Sequence, residues 1–136
     1  MLVVCGCSLY SESVRPRGDT PQATFNMLRI IAFIRPHQLE AVKSAIAAAG
    51  VGGLNVTDCK GRGNSEEREQ RFMTEVSVLR MRSRVEVVCS EDLKDDIVGA
   101  ILDSAYTGQP GDGKVFVERI LDAVRIRTGE VGLVAI

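Results

Sequence analysis

The chain of 136 residues has no Trp, only two Tyr and four Phe, and a single His. It also lacks an excess of either charge, with 17 Lys+Arg against 18 Asp+Glu. A nucleic-acid binder normally presents a basic face and stacking rings, so both shortages argue against that partner. No apolar run approaches the roughly 20 residues that span a bilayer. The start offers only residues 2–5 before Gly6 and Ser8 interrupt the run, which reads as neither signal peptide nor anchor, and stable membrane insertion is not expected. Four cysteines, Cys5, Cys7, Cys59 and Cys89, are too few for a disulfide scaffold. The last two fall in apolar strand patterns, where a thiol acts as a small hydrophobe, and this usage fits a reducing cytoplasm. With 45% hydrophobic residues, one domain of this length buries about two-thirds of its unfolded surface without help from a metal.

What is present changes character once. Residues 1–26 carry two Arg, two acids and scattered Ser, Pro and Gly, with no period beyond Val4; from Met27 onward apolar periodicity is continuous. The extension is expected to lie outside the core. It is either a disordered arm or an upstream translation ahead of a start at Met27, and the domain is expected to span residues 27–136.

Leu28, Ile30, Ile31, Ala32, Phe33 and Ile34, closed by Pro36, predict a strand buried on both faces. Leu39, Val42, Ile46 and Ala49 at helical spacing, with Gly50 as the stop, predict an amphipathic helix. Leu54, Val56 and Asp58 begin a second strand that runs into Gly61-Arg62-Gly63. A long third strand is expected over 74–89, with a change of apolar parity near Leu79 that suggests a bulge. Ser90 then caps a helix carrying Leu93, Ile97, Ala100 and Ile101, and Val115, Phe116 and Val117 start the last strand. Two βαβ units of similar length imply an α+β fold, the ferredoxin-like split βαβ sandwich with both helices on one face of an antiparallel sheet. Two helices cannot cover both faces of a sheet whose first strand is apolar at odd and even positions, so self-association is expected.

Three loops carry the chemistry. Lys60-Gly61-Arg62-Gly63 opens a polar segment, 64–71, that is expected to be mobile. In Thr107-Gly108-Gln109-Pro110-Gly111-Asp112-Gly113-Lys114, two glycines flank an acid just before a Lys, a pattern that lets backbone N–H groups approach an anion. In Arg125-Ile126-Arg127-Thr128-Gly129, strand alternation would send both guanidiniums to one side for bidentate phosphate contacts.

With these two glycine- and arginine-bearing motifs at this spacing, the chain from Met27 to Ile136 resembles the PII signal-transduction family. The resemblance implies a cytoplasmic homotrimer that binds an adenine nucleotide (ATP, ADP or AMP) in each inter-subunit cleft and is not an enzyme. It implies phosphate contacts at Thr107, Gly111, Asp112, Gly113 and Lys114, at Arg125 and Arg127 from the neighbouring chain, and at Gly61 and Gly63 at the base of the family's T-loop. It implies adenine-side positions at Phe33, Asn55, Glu86 and Val88. The T-loop would contact a protein target, with a membrane transporter among the candidates.

The departures bear on the effector. Asn64 and Ser65 stand where the family has the Gln that helps hold Mg-ATP and 2-oxoglutarate, which leaves the role of Mg open, and the family Lys beyond the loop aligns near Arg82. The loop is shortened and holds no Tyr, since the tyrosines are Tyr10 and Tyr106, so tyrosine uridylylation cannot occur there. The chain is therefore similar to PII-like offshoots, some associated with carboxysomes or bicarbonate uptake, and a small anion such as bicarbonate is expected at Ser65 and Arg82. The alternatives are a nitrogen-regulatory PII that senses ATP, ADP and 2-oxoglutarate, and a CutA-like structural trimer without nucleotide. An acylphosphatase-like enzyme shares the topology but would need an Arg and an Asn converging on phosphate. Lys114, Arg125 and Arg127 taken singly read as strand-edge charges; the joint pattern favours phosphate. His37 reads as an exposed helix residue, and Cys5-Gly6-Cys7 as unpaired thiols rather than a metal chelate.

Overall fold

The computed structural model describes residues 26–63 and 79–136. Six elements follow in the order β1 (Met27–Ile34), α1 (Leu39–Ala48), β2 (Asn55–Gly61), β3 (Arg80–Ser90), α2 (Lys94–Ala105) and β4 (Lys114–Arg119). The strands form one sheet in the order β2-β3-β1-β4, and β1–β3, β1–β4 and β2–β3 each pair antiparallel. This is the ferredoxin-like α+β sandwich that the two βαβ units predict.

The pleat explains the layers. Leu28, Ile30, Ala32 and Ile34 of β1 share a face with Val85, Val87 and Cys89 of β3. They pack against Val42 and Ile46 of α1 and Ile97, Ile101 and Ala105 of α2 as one buried cluster. Each fully buried aliphatic side chain contributes about 1.5–3 kcal/mol relative to exposure. On the opposite face Met27 and Ile31 are also buried, while Arg29 and Phe33 are half-buried. Pro36 explains the sharp exit from β1: it holds Arg35 extended, at φ −70° and ψ 138°, and opens a one-turn 3-10 helix that leads into α1.

Three expectations are corrected. Leu79 and Met81, assigned to the apolar parity of the third strand, are exposed. They lie beyond the reach of the helices, where β3 pairs only with the edge strand β2. The register of β3 runs unbroken from Arg80 opposite Gly61 to Glu86 opposite Asn55; the parity change between Val78 and Leu79, where a bulge is expected, falls at the edge of residues 74–78, which lie outside the described residues. Ser90 occupies the cap position of a short 3-10 turn but makes no side-chain capping bond. Cys59 is only half-buried and sits on the face away from the helices, since it pairs with Arg82, whereas Cys89 is in the core, where burial pushes its thiol pKa up.

After β4 the chain makes a single bridge between Val124 and Val131. The expected strand through Arg125 and Arg127 is instead a turn: the Arg125 carbonyl accepts from both Thr128 N–H, at 3.3 Å, and Gly129 N–H, at 2.8 Å. An extended strand cannot fold back on its own carbonyl in this way.

Candidate functional site

The connection from α2 to β4 is closed on itself by the Asp112 side chain. The Asp112 carboxylate accepts from Thr107 N–H at 2.7 Å, from Gly108 N–H at 3.1 Å and from the Thr107 hydroxyl. The hydroxyl bond, with the backbone bonds and the nearby Arg35 guanidinium, holds the Asp112 carboxyl below its ordinary pKa. Arg35, at the end of β1, donates from Nη2 to the Pro110 carbonyl at 2.9 Å, and its Nε stands 3.2 Å from Asp112 Oδ1.

Two glycines let this loop lie flat on the sheet. Gly113 has φ +121°, and a Cβ there would fall 1.7 Å from the Phe33 carbonyl oxygen, so only glycine fits. Gly111, at φ +99°, leaves 3.1 Å between its missing Cβ and Arg82 Nη2. Beneath the loop opens a cleft of about 940 Å³, floored by Phe33, which meets Phe116 edge-to-face with centroids 6.1 Å apart. Among the described residues Lys60, Arg62, Arg80, Arg82 and Lys114 line it, against one acid, Asp112, that the loop itself occupies. Such a concentration of cations along a glycine-rich loop is suited to an anion.

The structure therefore brings Phe33, Gly61, Gly63, Arg82, Gly111, Asp112, Gly113 and Lys114 into one cleft. The Asp112 carboxylate is engaged in closing the loop. Thr107 likewise serves as the clasp for Asp112. Asn55, Glu86 and Val88 lie on the same sheet face but outside the cleft lining. Asn55 pairs with Glu86 across β2 and β3, and Glu86 is ion-paired with Arg84 at 2.6 Å and Arg29 at 3.7 Å. Arg125 and Arg127 do not line the cleft of their own chain. Arg125 pairs with Glu130 and donates to the Val134 carbonyl at 2.7 Å. Ser65 and the rest of 64–78 lie outside the described residues. Among the described residues there is no group of three or more His, Cys, Asp and Glu that could hold a metal ion.

Sequence reasoning missed Arg35, Arg62, Arg80 and Phe116. For Arg80 the signal was available: Arg80-Met81-Arg82-Ser83-Arg84 alternates with period two, and one parity buries Ser83, so the arginines must share the other face. Nothing in the local pattern marks Arg35.

Comparison with known proteins agrees with this geometry. The family described as Nitrogen regulatory protein P-II matches residues 27–130. The chain belongs to the PII family. A PII protein of Methanothermobacter thermautotrophicus, Nitrogen regulatory protein P-II 2, is 38% identical over 112 residues, 81% of this chain and 97% of its own length. The Rhizobium etli Nitrogen regulatory protein P-II is 43% identical over 103 residues, 74% of this chain and 92% of its own. Among solved structures, a Bacillus subtilis GlnK-ATP complex superposes with a TM-score of 0.69 at 30% identity, covering 81% of this chain and 95% of that one. Arabidopsis thaliana PII bound to citrate gives 0.68 at 30% identity, with 82% and 92% covered. PII proteins are regulatory rather than catalytic, which sets aside the acylphosphatase-like reading, and the family match over residues 27–130 sets aside the CutA-like one. Among the described residues no helix is long and apolar enough to cross a membrane.

Proposed function

We propose that this PII protein acts in the cytoplasm as a homotrimer that binds adenine nucleotides, ATP or ADP and also AMP, with their phosphates under the loop 107–114. The observation that carries the reading is the flat glycine loop over a cleft lined by five cations, with Gly113 allowed no side chain. The B. subtilis relative is named as an ATP complex, and it shares this fold over 81% of the chain. Arg125 and Arg127 lie outside the cleft of their own chain, so in this reading they complete the cleft of a neighbouring copy. The regulatory unit is residues 27–136. Isothermal calorimetry with ATP, ADP and AMP tests the reading, and absence of affinity for all three overturns it.

The signal leaves through the T-loop, about residues 64–74, which follows Gly61 and Gly63 beside the proposed phosphates and contacts a target protein. A ligand with different affinities for two arrangements of this segment shifts their populations. Ser65 in place of the family Gln supports a compact anion, bicarbonate, as co-effector with Arg82, and with it a role in inorganic-carbon metabolism. A second reading, 2-oxoglutarate sensing in nitrogen regulation, is favoured by the names of the curated relatives. Hydrogen exchange over residues 61–82, with nucleotide plus either anion, separates the two. Protection specific to bicarbonate supports the first reading, and protection specific to 2-oxoglutarate the second.

A further inference from the structure

The loop 108–113 has an unusual means of support. Among the described residues, no backbone–backbone hydrogen bond ties these positions to the rest of the fold ahead of β4. Asp112 closes the loop on itself through Thr107 and Gly108. A closed loop can still tilt about its ends. One side chain joins it to the sheet from outside: Arg35, which reaches Pro110 O at 2.9 Å and Gln109 O at 3.5 Å, and stands beside Asp112.

The Arg35 contact has a direct consequence for the next amide. No peptide bond among the described residues is cis, and a planar trans peptide points its C=O and N–H in opposite directions. The Pro110 carbonyl shares its peptide plane with the Gly111 N–H. Arg35 pulls that carbonyl to its own side, and Arg35 does not line the cleft, whereas Gly111 does. The Gly111 N–H is thereby aimed away from Arg35. Gln109 precedes a proline, so its carbonyl shares a plane with no N–H, and the shorter bond to Pro110 is the one that sets an anion donor.

Arg35 is itself preset. It ends β1, the central strand that pairs with both β3 and β4, and Pro36 keeps its backbone out of the helical region. Its side chain is only 24% exposed, and the planar guanidinium turns Nη2 to the loop carbonyls while Nε faces the Asp112 carboxylate at ion-pair distance.

We propose that Arg35 is the positioning residue of the anion loop: by holding the Pro110 carbonyl it aims the Gly111 N–H into the cleft, without touching the ligand. The inference rests on the reading that this loop binds nucleotide phosphates.

The test compares the wild type with R35M, R35K and K114A, using ATP and AMP as probes in calorimetry, with the Gly111 amide followed by NMR. R35M is expected to bind ATP about tenfold more weakly, the scale of one lost charge-assisted contact. Its loss for AMP should be smaller, and the Gly111 amide should no longer shift when ATP is added. R35K, which keeps one charged donor, should recover most of the affinity. If R35M does not fold, R35Q takes its place. Wild-type ATP affinity and an unchanged Gly111 response in R35M, alongside a weakened K114A, overturn the role of Arg35 and leave the phosphate reading standing. Equal weakening of ATP and AMP with no recovery in R35K also overturns it, because that pattern is general damage to the loop. Unchanged ATP affinity in K114A overturns the phosphate reading, and the proposal with it.

Discussion

Asp112 is the residue on which the anion loop turns. Its ionised carboxylate accepts three bonds from Thr107 and Gly108, and these hold its pKa below the ordinary value. A depressed pKa in the folded protein means that ionised Asp112 stabilises the loop fully above its unfolded value of about 3.9, and that this support is lost as pH falls through the folded value. The Gly108 and Thr107 amide resonances are therefore expected to stay fixed from pH 8 to about pH 5 and to move only below about pH 4. D112N should abolish that low-pH transition while loosening the loop at neutral pH, and a wild-type transition near pH 6 would contradict the assignment. Lys114 adds charge rather than shape. K114A is expected to lose about 1.5–3 kcal/mol of nucleotide binding, tenfold or more, with little change in melting temperature. Any glycine replacement at 113 must displace the Phe33 carbonyl, so G113A should cost both loop order and nucleotide affinity.

At the scale of elements, the sheet does the positioning and the helices supply the weight that holds it. Ile46 of α1 is fully buried against β1 and β3, and I46A is expected to destabilise the protein by about 2–5 kcal/mol in urea unfolding, with nucleotide affinity of the folded fraction retained. The elements were legible in the sequence because their apolar residues recur with periods of two and 3.6, which is what layered packing requires. The boundaries went wrong where packing ends before the pattern does: Leu79 and Met81 continue the apolar parity of β3 past the point where a helix lies over it. Arg125 and Arg127 alternate like strand residues, yet the chain folds back on the Arg125 carbonyl. The glycine loop was legible because Gly-Asp-Gly-Lys is a local signature. Arg35 was not, because its partners lie 74 and 75 residues away in sequence and only the β1–β4 pairing brings them together. Cys59 reads as apolar filler in the sequence, but edge-strand register turns it toward the cleft.

The whole molecule is incomplete as a single chain. The C-terminal segment exposes Leu121, Ile126, Val134 and other apolar side chains, with Ile126 fully exposed, a concentration that a lone soluble domain rarely presents. Sedimentation of the purified protein is expected to give three copies at micromolar concentration, and I126D should shift it toward the monomer while weakening nucleotide binding in parallel. Monomeric wild-type protein with full ATP affinity would contradict the shared cleft.

The pairing of Phe33 with Lys114 also sets when the protein becomes competent. Phe33 supplies the surface on which Gly113 rests, and Arg35 the tether for Pro110, but neither has anything to hold until β4 adds itself to the sheet edge. On the ribosome, every residue of the first βαβ unit emerges long before the loop it must shape. Nascent chains arrested ahead of residue 119 should therefore be blind to ATP however well their helices have formed, and the first capture of nucleotide becomes a clock for the closing of the sheet.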